Sequence, residues 1–246
     1  MKWMVISAVQ LLFTLFLYAI AVIIIGLAIY PGALFCIYLW NASLAYSLSL
    51  RILLLCFCLT IAYFIFGFCL IAIVGVVRIV FRLSLKEGEY PMYSWGALKW
   101  ALTNSLVTVV SNTFTDFILL TPIMNIFYRL MGAKLGKNVQ INSKYCADLS
   151  LLEIDDGVVI GGHATVIGHS FERSRLILRK VKIGKHAVVG LNSVILPGTE
   201  IGEKAIIAAG AVLGKNTKVE PRSVYFGVPA ESVKDRRERE KGEKGE

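Results

Sequence analysis

Three histidines, His163, His169 and His186, are the only side chains here whose unperturbed titration falls near neutral pH. An imidazole in that range can take a proton from a hydroxyl or amine and pass it to a leaving group. His169 stands out by its setting. It follows Gly168 at the place where a six-residue repeat fails, since Val166 and Ile183 are 17 apart rather than a multiple of six. Glu172, three residues on, is placed to orient that ring. His163 lies six residues earlier, in the same phase, and His186 is expected at the surface. The five cysteines are assigned no function, and Cys56 and Cys58 have neither redox nor zinc spacing.

The repeat positions these residues. Ile183, Val189, Ile195, Ile201, Ile207, Leu213 and Val219 recur every six residues without a slip. Gly follows the aliphatic residue at 184, 190, 202 and 214, and Ala at 208. A small residue sits four places after each aliphatic one: Ala187, Ser193, Thr199, Ala205, Ala211 and Thr217. Ile154, Ile160 and Val166 form an earlier set, with a fainter start at Leu135-Gly136 and Ile141. A period of six fits neither an α-helix nor a heptad. It fits a triangular solenoid of three short strands per coil, aliphatic side chains inward, each coil buried against its neighbours. Glu172-Arg173-Ser174-Arg175 reads as a loop leaving this solenoid.

The other half is built for lipid. Residues 1–77 carry Lys2 and Arg51 as their only charges. Met4–Tyr30 is long enough to cross a hydrocarbon core of about 30 Å, and too long for a signal peptide. Pro31-Gly32 is expected to end it. A second span is expected over Ile52–Val77, closed by Arg78, Arg82 and Lys86. The softer stretch 33–50 reads as re-entrant, interfacial or a short third span. Two spans are favoured, and residues 97–131 read as a surface-lying helix pair rather than two more. Thr121-Pro122 predicts a helix start with Thr as N-cap, running to Met131 and stopping at Gly132. The positive-inside rule places both ends in the cytoplasm. The divisions are then 1–90, transmembrane; 91–132, interfacial helices; 133–230, the solenoid; and 231–246, a charged tail. The net charge of +9 is spread without a dense basic run, which argues for membrane topology and an anionic small molecule rather than nucleic acid.

The repeat over roughly 133–220, Gly168-His169 at its interruption, and the ending Gly227-Val228-Pro229-Ala230 together resemble the hexapeptide-repeat acyltransferases, which include galactoside and serine acetyltransferases. The N-terminal part is similar to membrane-attached members related to poly-lysine-type peptide synthetases. The resemblance implies a mainly β fold, a left-handed parallel β-helix preceded here by an α-helical transmembrane region. It implies a homotrimer with sites between subunits, and acetyl-CoA as co-substrate with no metal. Carried over, His169 is the catalytic base with Glu172 beside it, and His163 lines the acceptor pocket. Ala208, Ala209 and Gly210 offer a path for the pantetheine arm, and Lys215 a contact to CoA phosphates. Two positions depart from the family: Glu231 follows the closing motif in place of a base, leaving Lys234, Arg236 and Arg237 as the nearest, and Val188 replaces a common Trp. The expectation is a multi-pass membrane acetyltransferase whose β-helix faces the cytoplasm and whose acceptor is a sugar, surface-polymer precursor or carrier-bound molecule. The alternatives are a γ-type carbonic anhydrase-like zinc protein and a non-catalytic trimeric scaffold.

Overall fold

A computed structural model describes residues 2–234; Met1 and 235–246, with most of the charged tail and Arg236 and Arg237, lie outside the described residues. The chain opens on two antiparallel helices, α1 (Lys2–Ala42) and α2 (Leu48–Val80). Pro31 does not end α1, contrary to the sequence expectation, and lies inside it. A proline removes one backbone donor. Ending the helix in an apolar setting would orphan several more. Close packing on α2 also holds the segment, because a Cβ on Gly32 would lie 3.0 Å from Ala62. Residues 33–42 therefore continue α1 instead of forming a separate element. The turn follows, with Ser43 Oγ donating to the Trp40 carbonyl, and Arg51 lies 4.0 Å over the Trp40 ring.

Helix α3 (Trp95–Thr113) starts at Ser94, whose hydroxyl accepts from the Ala97 N–H. Helix α4 (Pro122–Leu130) starts after Thr121 as expected, but Thr121 makes no cap bond; its hydroxyl donates to the Ile118 carbonyl. Gly132 stops α4 with φ +96°, and the Arg78 side chain fills the space a Cβ would take.

From Lys134 onward the chain winds as the period predicts, in a left-handed parallel β-helix. Val188 pairs with Ile206, Val194 with Val212 and Glu200 with Lys218, each eighteen residues apart, so three six-residue strands complete a coil. The aliphatic positions Ile183, Val189, Ile195, Ile207 and Leu213 are buried, and Ala187, Ser193, Thr199, Ala205 and Ala211 fill the narrow interior beside them. The corners are left-handed in backbone conformation. Asn138, Gly157, His186, Lys204 and Arg222 stack in one corner at φ between +53° and +67°. His163, Asn192 and Gly210 stack in the next.

The expected loop is instead a hairpin. His169–Glu172 pairs antiparallel with Arg175–Leu178, and Arg173 and Ser174 both take positive φ, as a two-residue turn of twisted strands demands. Strand Gly88–Pro91, just past α2, adds to its free edge, with Gly88 opposite Leu178. One hydrophobic cluster runs from Ile24 and Ala28 of α1 through α2, α3 and α4 to Val219 of the last coils.

Candidate active site

His169 is the first residue of the hairpin, at the end of a solenoid face. Its Nδ1 lies 2.6 Å from Oδ2 of Asp148, whose side chain is fully buried while the imidazole keeps 21% of its surface exposed. Asp148 reaches this place by the coil geometry. Cys146 bridges to Val166 and the Ala147 N–H bonds to the Val166 carbonyl, so the chain two residues on sits under Gly168. Asp148 itself turns there at φ +55°.

Four donors converge on that carboxylate. Trp100 Nε1 (2.8 Å) and Asn104 Nδ2 (2.9 Å) from α3 reach Oδ1. The Gly168 N–H (2.9 Å) and His169 Nδ1 reach Oδ2. A carboxylate only accepts, so the His169 proton is assigned to Nδ1, and Nε2 is left with its lone pair. Trp100 and Phe171 flank the imidazole, with ring centroids 4.9 and 5.7 Å away. A ring nitrogen with its tautomer set by Asp148, partly open to solvent and walled by aromatic rings, can accept a proton from an O–H or N–H nucleophile and return it.

Glu172 does not touch His169, and its expected orienting role is corrected here. Its Oε1 is 2.5 Å from Lys215 Nζ and accepts from Ser170, and Lys215 holds its carboxyl below the usual range. Opposite charges at the hairpin tip and the facing coil attract each other, whereas Asp148 is already packed beside the ring. Lys215, expected to serve CoA phosphates, is thereby occupied. His163 lies exposed at a corner, its ring 5.7 Å from that of Tyr145. Ala208 and Ala209 lead into Gly210, which shares that corner two coils on. His169 stands at the far end of the adjoining face, so these residues and the base are separate features of one wall. His186 sits at a different corner, its ring over Gly157. Among the described residues, no three His, Cys, Asp or Glu side chains of this chain converge as a metal site.

A cleft of 410 Å³ opens beside His169, between α3 and the first coils. Trp100, Asn104, Thr108, Ser111 and Asn112 line one wall, and Lys144, Tyr145 and Thr165 the other. Lys144 pairs with Asp116 at 2.7 Å. Asp148 and Asn104 are candidate site residues that the sequence pattern did not single out. The nearest signal was approximate coil spacing: Asp148 lies twenty residues before Gly168, close to but not at the eighteen of a regular coil.

The sequence pattern of the hexapeptide repeat of succinyl-transferase matches residues 180–215. The chain is 26% identical over 158 residues to Delta-poly-L-ornithine synthetase of Acinetobacter baumannii, covering 64% of this chain and 12% of that one. It is 35% identical over 86 residues to the carnitine operon protein CaiE of Escherichia coli, covering 33% and 44%. Galactoside O-acetyltransferase of Escherichia coli is 29% identical over 123 residues, covering 43% and 58%. The chain thus spans less than half the length of the first two of these curated relatives.

Proposed function

We propose that this chain, a member of the hexapeptide-repeat acyltransferase family, is a membrane-anchored acetyltransferase that moves an acetyl group from acetyl-CoA to a hydroxyl or amine. The observation that carries the reading is the His169–Asp148 contact at the interruption of the repeat. As the acceptor oxygen or nitrogen attacks the thioester carbonyl, His169 Nε2 takes its proton. The tetrahedral oxyanion collapses, the carbon–sulfur bond breaks, and the imidazolium returns the proton to the CoA thiolate. Asp148 is a positioning residue. It holds the Nδ1–H tautomer and stabilises the imidazolium that forms between the two transfers.

The donor is assigned to the corner at Ala208–Gly210, and the acceptor to the cleft beside Trp100 and Tyr145 with His163 at its rim. The solenoid assembles as a homotrimer. The regions 1–90, 91–132, 133–230 and 231–246 serve as anchor, interfacial helices, enzyme and tail. Helices α1 and α2 are long and apolar enough to span a bilayer. The basic groups Lys2, Arg78, Arg82 and Lys86 support a cytoplasmic position for both ends and for the β-helix. The acceptor class is a sugar, a surface-polymer precursor or a carrier-bound intermediate.

The experiment is acetyl transfer from labelled acetyl-CoA in isolated membranes, wild type against His169→Ala. Transfer that depends on His169 supports the reading, and a wild-type protein that neither binds nor turns over acetyl-CoA overturns it. Protease added to sealed, right-side-out cells tests the topology: the C-terminal tail should survive, and its removal would place the β-helix outside.

A further inference from the structure

We infer that the acceptor is a membrane amphiphile with an uncharged, hydroxylated head group, and that it reaches His169 sideways from the bilayer along α3. This rests on the membrane-anchored acetyltransferase reading above. The first observation is depth. Helix α2 has 33 residues, about 50 Å at 1.5 Å each, against a hydrocarbon core of about 30 Å. Trp40, Tyr46 and Arg51 gather at the turn, where an aromatic and cationic belt marks the far interface. About twenty residues on from Arg51 the core ends. In α2, burial is densest toward this end: Gly67, Leu70, Ile71, Val74 and Gly75 are buried, whereas before them only Cys58 is.

The C-terminal end of α3 meets α2 at Tyr63, Phe64 and Phe68, about three to eight residues on the bilayer side of that point. Tyr63 Oη donates to the Thr113 carbonyl at 2.6 Å, and the Phe114 and Phe117 rings pack on Tyr63, Phe64 and Phe68. Trp100, near the other end of α3, touches His169. The cleft-lining positions from Trp100 to Asn112 share one face of α3 and cover about 18 Å. The cleft therefore runs from the reacting imidazole to the bilayer's edge.

The second observation is chemical. Thr103, Ser105 and Thr113 donate back to their own helix carbonyls. Thr108, Ser111 and Asn112, which line the cleft, make no side-chain hydrogen bond to the protein among the described residues. The one lysine in the lining is paired with Asp116. Free hydroxyl and amide groups in a cleft also lined by the rings of Trp100 and Tyr145 suit a polyhydroxylated ring, which offers C–H faces to aromatics and O–H groups to Asn, Ser and Thr.

The third observation is a place for the tail. An apolar groove of 540 Å³ runs between α1 and α2, lined by Ile29, Gly32, Ala33, Ala62 and Phe66, with Tyr63 in the same lining. Tyr63 thus contributes its ring to the groove and its hydroxyl to α3, one residue beyond the cleft.

The test uses the full chain in phosphatidylcholine nanodiscs and dodecyl maltoside carrying a diazirine on its sugar, at low occupancy. Irradiation should label residues 104–112 and 144–147. Unlabelled dodecyl maltoside should compete at least on the order of tenfold better than maltose, because the alkyl chain adds apolar burial. Thr108→Leu with Ser111→Leu should remove the label. If that double variant fails to fold, the wild-type competition decides alone. Label confined to the lipid-facing sides of α1 and α2, or maltose competing as well as its alkyl derivative, overturns the inference. Acetyl-CoA turnover is followed in parallel. Turnover on soluble sugars without labelling sinks the amphiphile site alone, and labelling without acetyl-CoA binding sinks the acetyltransferase reading alone.

Discussion

Asp148→Asn separates orientation from mere presence of the histidine. Asn replaces one acceptor oxygen by an NH₂ donor, and the buried site forces a choice. With NH₂ toward α3, it opposes both Trp100 Nε1 and Asn104 Nδ2; Asn104 cannot simply turn its amide, because its Oδ1 accepts from the Asp148 N–H. With NH₂ toward the hairpin, it opposes only the Gly168 N–H, since His169 can shift its proton to Nε2 and accept at Nδ1. Each buried donor left unpaired costs about 1–3 kcal/mol, so the second arrangement wins by about that much. It presents an N–H where the base should be. Transfer should fall on the order of 10²–10⁴-fold in kcat, about 3–5 kcal/mol of barrier. Stability should fall by about 1–3 kcal/mol for the orphaned Gly168 N–H. The assay is initial-rate thiol release with any working acceptor, beside calorimetric acetyl-CoA binding, which should stay at the wild-type value. A folded Asp148→Asn protein with kcat within about threefold of wild type would refute the tautomer argument.

His169→Ala should lose about 10²–10⁴-fold in transfer while acetyl-CoA affinity holds; His186→Ala should do little and His163→Ala should act on the acceptor, all read by steady-state kinetics. Gly190→Ala should destabilise the coils by roughly 1–3 kcal/mol in thermal or denaturant unfolding, because its Cβ would lie 2.6 Å from the Ala209 N and the Ile207 carbonyl, backbone that cannot step aside. Burial pushes the Cys146 thiol up to about 11. A raised value means fewer thiolates at a given pH, roughly one in a thousand at pH 8, so iodoacetamide followed by mass spectrometry should find Cys146 unlabelled until the chain unfolds. Rapid native labelling would contradict that burial.

The solenoid was legible because its signal is periodic and redundant. Ile183 through Val219 each repeat the same inward instruction, and a single inward position could change without hiding the phase. The two long helices were legible as lipid-seeking runs, but Pro31 misled the boundary, since proline's local cost is outweighed when breaking a paired apolar helix would orphan more groups. The site divides in the same way. His169 was visible because it stands where the period fails. Asp148 was hidden because it lies in the irregular part of the first coils, away from any repeat, and its role depends on which residue stacks beneath Gly168. Glu172 was the reverse case. Nearness in sequence suggested contact, yet alternation along a strand turns residue 172 away from 169, toward Lys215.

The strand Gly88–Pro91 ties the chain just past α2 to the hairpin that begins with His169. Glu87 and Glu89 add bonds from the same stretch to the Lys180 N–H and to Arg175 and Arg179. The β-helix of this chain is consequently not a portable module. Expressing it from residue 133 would strip the outer strand from the hairpin, bare the edge of Arg175–Leu178, and expose the end of a core that α2 and α4 otherwise cover. Trimming for solubility would remove the brace of the His169 imidazole along with the two long apolar helices. Gene fusions that swap its N-terminal helices for another tether would inherit a loosened hairpin unless they carry residues 87–91 with them.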